Sequence, residues 1–280
     1  MGKIEDSILT IQKAEKLALS YNDFGFHVAF SGGKDSQVIY ELCKMANVKF
    51  KAFFYKTSVD PKELLSFIRN NYPDVEWIRP KMTMYQLILK KGMLPLRQCR
   101  FCCEYLKERN GLNSVVITGI TKAESAKRKK RQEFESSCKI GSDKNLLNPI
   151  LDWTKQDVLQ FLKERKIELC TLYEQQERIG CVGCPMSPKT MRRDFRNMPN
   201  FKLAYINTVK KLMIEKGKYP EFESAEDVVN WWSSGLSRAV WLANKQQYSI
   251  SFEKTEAGGA FYFTNPNEIT NPKSISTPCL

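Results

Sequence analysis

The run from His27 through Ser31-Gly32-Gly33-Lys34-Asp35-Ser36 leaves few ways for this chain to fold. Phe24 to Phe30 is a short, mostly apolar stretch that stops at the paired glycines. Gln37 to Met45 then resumes with apolar residues at helical period, so the segment predicts a strand, a tight turn and a helix. Paired glycines let backbone N–H groups come close to an anion, and a helix start adds partial positive charge. Lys34, Ser31 and Ser36 supply a full charge and two hydroxyls, so the pattern predicts a phosphate site. It is not a Walker A loop, which has four residues between two glycines and then Lys and Ser or Thr.

Further segments repeat the strand-and-helix alternation. Residues 3 to 20 carry an amphipathic pattern (Ile4, Ile8, Ile11, Leu17) and predict a helix packed across a sheet. Val48 to Tyr55 and Val75 to Ile78 read as strands, with a helix opened by Asp60-Pro61 between them. Met82 to Lys91 and Gln98 to Arg109 read as helices, and Ser114 to Ile120 as a strand. Thr121 to Asn145 is polar and basic without periodicity and reads as loop or flexible helix. Thr154, with Asp157 three residues on, predicts a capped helix. Residues 188–217 and 225–232 read as helices anchored by Phe195, Phe201, Tyr205, Leu212, Trp231 and Trp232 in a core role; the chain from Lys245 reads as a hairpin or loose tail. Alternation at this spacing predicts an α/β fold with a doubly wound, mostly parallel sheet. The expected organisation is an N-terminal helix (1–22), a nucleotide-binding domain (23–187), a helical C-terminal extension (188–244) and a tail (245–280).

The 280 residues suffice for a sizeable core. No membrane span and no export signal is visible, so a cytoplasmic protein without membrane partners is expected. The formal net charge of +13 points to polyanionic partners, nucleotides or nucleic acid, with basic residues concentrated at Lys122 to Arg131 and Lys189 to Arg196. A single histidine, His27, all but excludes His-based metal centres and Ser-His-Asp catalysis, and its expected role is structural.

Nine cysteines without an export signal argue for thiol or metal chemistry. Cys102-Cys103 and Cys181-x-x-Cys184 supply four thiolates that suit either an iron–sulfur cluster or zinc. Adjacent cysteines sit more easily on a larger cluster; the set Cys99, Cys102, Cys181 and Cys184 would instead make a regular two-CxxC zinc site. Cys43 and Cys170 read as buried small hydrophobes, Cys138 as a loop thiol, and Cys279 as an incidental thiol of the tail.

Ser31 to Ser36 resembles the PP-loop of the ATP-pyrophosphatase superfamily. The ordered landmarks Cys99-Arg100-x-Cys102-Cys103 with Leu106-Lys107, Thr118-Gly119-Ile120 with Glu124-Ser125 and Arg128, Asn148 to Val158, and Tyr173 leading to Arg178-Ile-Gly-Cys181-x-x-Cys184-Pro185 resemble the phosphoadenosine-phosphosulfate reductase family within it. The resemblance spans about residues 20 to 190 and implies an adenine nucleotide α-hydrolase-like fold. It also implies an adenine nucleotide bound by Ser31, Gly32, Gly33, Lys34, Asp35, Ser36 and Gly119, with Mg²⁺ and with Lys34 and Asp35 as catalytic residues. Where the family usually has Gly-x-Arg, this chain has Gly119-Ile120-Thr121-Lys122, so anion binding there falls to Lys122, Lys127 or Arg128. The four cysteines resemble the ligands of the [4Fe-4S] cluster of adenylyl-sulfate reductases, zinc being the alternative. The C-terminal Glu-Cys-Gly-x-His of sulfonucleotide reductases is missing, and Tyr55 to Asp60 replaces the family's Asp-Thr-Gly element.

Three functions follow as expectations. The first is an enzyme that uses ATP to adenylate a substrate, releasing pyrophosphate, in sulfur transfer with nucleic acid as one acceptor and a sulfur-donor protein as partner. The second is a sulfonucleotide reductase acting on adenylyl sulfate or its 3′-phosphate. The third is a nucleic-acid-binding module without turnover.

Overall fold

The computed structural model describes residues 2–137 and 144–245. The chain divides into two compact units, residues 1–235 and 236–280. In the second unit, residues 238–245 are helical.

The first unit is built on a six-stranded sheet of order β3-β2-β1-β4-β6-β5, in which only β5 runs antiparallel. The strands are β1 (Phe26–Ala29), β2 (Phe50–Tyr55), β3 (Glu76–Ile78), β4 (Ser114–Ile117), β5 (Phe134–Ser137) and β6 (Lys144–Leu147). β1 and β4 lie at the centre and are buried along nearly their whole length, as parallel strands covered on both faces must be. From β1 the chain steps outward through β2 to β3, and from β4 it steps the other way to β6. The winding therefore reverses between β1 and β4.

Helices α1 (Lys3–Tyr21), α2 (Lys34–Met45), α3 (Lys62–Asn71) and α6 (Lys155–Glu164) close the core with Ile11, Ala18, Val38, Leu42, Leu64, Ile68, Val158 and Phe161. Thr154 and Asp157 form a complete capping box that starts α6. A second packed group joins α4 (Met84–Lys91) to α7 (Pro188–Asn197), α8 (Pro199–Lys216) and α9 (Ala225–Ser234). Tyr205 is its hub, ringed by Tyr85, Phe195 and Trp232, and the Trp232 indole donates to the Pro95 carbonyl at 2.7 Å. These tryptophans are core residues, with Trp231 6 % and Trp232 5 % exposed.

The reading of 121–145 as loop or flexible helix is corrected. After two 3-10 turns, Lys122–Glu124 and Arg128–Lys130, it holds β5 and the first residues of β6. The strands left no apolar alternation to read, because one of the two inward positions of β6 is Asn145. Its amide donates to Tyr21 Oη at 2.8 Å and its carbonyl accepts from Ser136 at 2.9 Å, so a polar residue is buried at little cost. Strand β4 also ends at Ile117, three residues short of the expected Ile120. The helix expected over 98–109 is a single turn, α5 (Phe101–Cys103), continued by a π turn over Glu104–Glu108. Cys138, Cys279 and the segment beyond Lys245 lie outside the described residues.

Candidate active site

Ser31 to Ser36 links the carboxyl end of β1 to the start of α2, at the point where the winding reverses. In open α/β sheets ligands bind in this crevice, because the connections diverge there and leave strand ends and helix N-termini uncovered.

Hydroxyl contacts shape the turn internally. Ser36, 5 % exposed, accepts from the Ser31 amide (3.2 Å) and hydroxyl (3.1 Å) and donates to the Gly33 carbonyl at 2.8 Å. Gly32 has φ +71°, and a Cβ there would lie 2.7 Å from Leu64 and 2.8 Å from Ile68 of α3, so both backbone conformation and space demand glycine. Gly33 precedes α2 in extended conformation without a side-chain cap. The first helical amide, Lys34 N–H, instead donates to the phenol oxygen of Tyr173 at 2.9 Å, from a 3-10 turn (Thr171–Glu174) that follows α6. Burial pushes the Tyr173 phenol up to about 12, so it keeps its proton. The Lys34 ammonium lies 3.1 Å from the Asp35 carboxylate, with side chains 16 % and 26 % exposed.

Gly119 follows the end of β4 beside this turn. A Cβ at 119 would sit 2.8 Å from the Asp35 carbonyl oxygen and 2.9 Å from its carbon, so glycine here lets the β4 end pack on the first turn of α2. Lys122 donates to Asp152 at 2.6 Å and Arg128 pairs with Glu124, so both cations are engaged by acids. At the end of β2, Thr57 and Asp60 close a buried turn: the Asp60 carboxylate accepts from the Thr57 amide and hydroxyl, each at 2.7 Å.

The fold brings the segment of Cys102 and Cys103 near the turn of Cys181 and Cys184. Cys102 and Cys103 influence each other most, Cys102 senses Cys181, and Cys184 senses both Cys181 and Cys103. The Cys102 contact, with Lys107 and Arg100 beyond it, lowers the Cys103 thiol and raises that of Cys102; burial raises Cys184. Lys107, on the π turn, lies near Cys181, Asp60 and Cys103; their electrostatic pull, that of Cys181 first, strengthens its hold on its proton against the opposing effect of burial. The cysteine-bearing turn is fastened by Val182, whose amide donates to Val59 O (2.8 Å) and whose carbonyl accepts from Tyr205 Oη (3.0 Å). Among the described residues no three His, Cys, Asp or Glu side chains are close enough to share one metal ion. Cys99 is exposed, while Cys43 and Cys170 are buried as expected of small hydrophobes.

His27 stacks on Phe53 with centroids 4.1 Å apart and bonds to Tyr55, which agrees with a structural role; burial, with Lys144 nearby, lowers it to about 4. Sequence reasoning assigned no role to Tyr173. Its only signal was its position in the stretch leading to Arg178-Ile-Gly-Cys181.

The fold and the turn at its switch point define an α/β protein built to hold a phosphate-bearing ligand. The chain belongs to the phosphoadenosine phosphosulfate reductase domain family, whose sequence profile matches residues 25–187. An uncharacterized protein of Methanocaldococcus jannaschii is 28 % identical over 195 residues, 65 % of this chain and 47 % of that protein. A probable FAD synthase of Schizosaccharomyces pombe is 23 % identical over 184 residues, 61 % of this chain and 66 % of that enzyme. The chain thus spans about half the length of the first of these relatives and under two thirds of each. Among solved structures, the phosphate complex of phosphoadenylyl-sulfate reductase from Candida auris is similar at TM-score 0.46 and 16 % identity, covering 64 % of this chain and 93 % of that one. Among the described residues no helix is long and apolar enough to cross a membrane.

Proposed function

We propose that this chain is a PP-loop enzyme that binds ATP or a related adenylyl nucleotide and adenylates a substrate in a sulfur-transfer reaction. The observation that carries the reading is the Ser31–Ser36 turn at the β1/β4 switch point of a chain in this family. In this reading Ser31, Gly32, Gly33, Lys34 and Ser36 hold the phosphates, Asp35 orients Lys34 or Mg²⁺, and Gly119 borders the nucleotide. The acceptor's nucleophile attacks the α-phosphorus, the bond from that phosphorus to the β-phosphate bridging oxygen breaks, and pyrophosphate leaves with the electron pair. Lys34 stabilises the charge that develops. Lys122 and Arg128 reach an anion only by exchanging their present acidic partners for it. Nucleic acid is the candidate acceptor on the strength of the +13 charge, with a sulfur-donor protein supplying sulfur.

The donor set suits a thiolate-bound metal group, an iron–sulfur cluster or zinc. Two cysteine pairs from segments far apart in sequence come near each other in the fold. Cys102, Cys103, Cys181 and Cys184 would hold it, and a cluster bound there would supply electron-transfer chemistry.

A second reading, a sulfonucleotide reductase, is favoured by the family description and requires a nucleophilic thiol. The test uses protein purified without oxygen. It is incubated with MgATP and candidate nucleic acids, following pyrophosphate release, and separately with adenylyl sulfate, or its 3′-phosphate, and reduced thioredoxin, following sulfite. Pyrophosphate without sulfite supports adenylation, and sulfite transfers the assignment to the reductase. Neither product, with salt-sensitive nucleic-acid binding retained, leaves the binding module.

A further inference from the structure

We infer that Tyr173 is a positioning residue of the phosphate site and donates its phenol proton to one non-bridging phosphate oxygen lodged above Gly33. This rests on the nucleotide-binding reading above and names a residue outside the Ser31–Ser36 turn.

The glycine leaves a cradle open beside the phenol. On the face of Gly33 where a side chain would begin, a carbon would meet only Tyr173 Oη at 3.2 Å and Ser31 Oγ at 3.4 Å. An oxygen lodged a few tenths of an ångström nearer the phenol than that carbon would be within O–H···O hydrogen-bond distance, about 2.5–3.0 Å. Space does not explain the glycine by itself. The backbone at 33 is extended, φ −84° and ψ 159°, a conformation any L-residue adopts, so no torsional demand excludes a side chain here, unlike at Gly32.

The phenol has the right capacity. Its oxygen accepts the Lys34 amide, which fixes the ring, and among the described residues its own proton has no acceptor. Ser31 differs: its hydroxyl is spent on Ser36. Tyr173 is therefore the free neutral donor at the mouth of the turn, and the backbone bond aims it at the start of α2. The segment that carries it is anchored on its other side. Arg193 of α7 donates to Gln175 O at 3.1 Å and to the Gln176 side chain, so the ring is presented by a braced turn.

The test is calorimetric titration of the full chain, purified without oxygen, with MgATP and with pyrophosphate, and with adenosine by competition against ATP. Tyr173→Phe keeps the ring but removes the donor together with the acceptor of the Lys34 amide, whereas Gly33→Ala fills the cradle and keeps the phenol. Each variant is expected to weaken MgATP and pyrophosphate binding by about tenfold or more, the range for a hydrogen bond to a charged group, while adenosine binding stays within about twofold. Unchanged MgATP affinity in either variant overturns the inference, as does a parallel loss of adenosine affinity, which would mark a general loss of pocket shape. Should Tyr173→Phe fail to fold, Gly33→Ala decides. A native chain that binds neither MgATP nor pyrophosphate removes the nucleotide reading itself; a native chain that binds both, with indifferent variants, removes only the assignment of Tyr173.

Discussion

Replacing Gly119 with alanine separates two reasons for a glycine at the end of β4. If the glycine serves ligand approach, the unliganded protein should not notice the change. The structure gives a second reason, because the new methyl would sit 2.8 Å from the Asp35 carbonyl oxygen and 2.9 Å from its carbon, both backbone atoms at the start of α2. Backbone cannot swing aside as a flexible side chain can. The contact must be relieved by moving the β4 end away from α2, and overpacking of this kind costs about 1–3 kcal/mol. For a domain of this size that corresponds to a fall in Tm of about 2–12 °C. The assay is scanning calorimetry of the native chain and Gly119→Ala without nucleotide, then with saturating MgATP. Destabilisation should appear in the unliganded melt. An unliganded Tm within about 1 °C of native, combined with a loss of ATP affinity, would refute the packing argument and return Gly119 to the ligand alone.

Lys34→Met should weaken MgATP binding by about ten- to a hundredfold, as loss of a charged donor does, with little change in unliganded Tm; an unchanged Kd would remove Lys34 from the site. His27 is held down to about 4 against an ordinary 6.5, so the native state binds fewer protons than the unfolded chain between these values. Stability is full above about pH 6.5 and falls as pH drops toward 4, by about 3 kcal/mol in all, a slope that His27→Gln should flatten in denaturant titrations across that window. Cys103→Ser should abolish metal content after anaerobic reconstitution, while Cys99→Ser retains it; the reverse result would select the two-CxxC zinc set. Thr154→Ala breaks the capping box and should cost about 1 kcal/mol in urea unfolding.

The parts of the fold that sequence made legible are those where local chemistry is decisive. The strand, glycine pair and helix around Ser31–Ser36 need special backbone and special periodicity at once, and the Thr154–Asp157 cap is spelled out within four residues. Strand β6 was hidden because Asn145 occupies a buried position made tolerable by Tyr21, 124 residues away, and by Ser136 on the neighbouring strand. The π turn at Glu104–Glu108 was read as ordinary helix, since one extra residue per turn leaves no compositional trace. Tyr173 could not be assigned for a similar reason: its partner is 139 residues away. Gly119 was recognised as special, but the neighbour that makes it so, the Asp35 backbone, becomes visible only when β4 lies beside β1.

The two cysteine pairs bear on the order of events in the making of this protein. Cys102 and Cys103 lie ahead of β4, and Cys181 and Cys184 follow α6, so the two pairs come near each other only when the strands and helix between them are in place. During synthesis the first pair leaves the ribosome with no counterpart. If the proposed metal group is held by all four, its stable loading would wait until about two thirds of the chain has emerged and the sheet has closed across β1 and β4. Metal content would then be a record of completed assembly, and a chain stalled or misfolded before Cys184 would be told apart by its empty thiols.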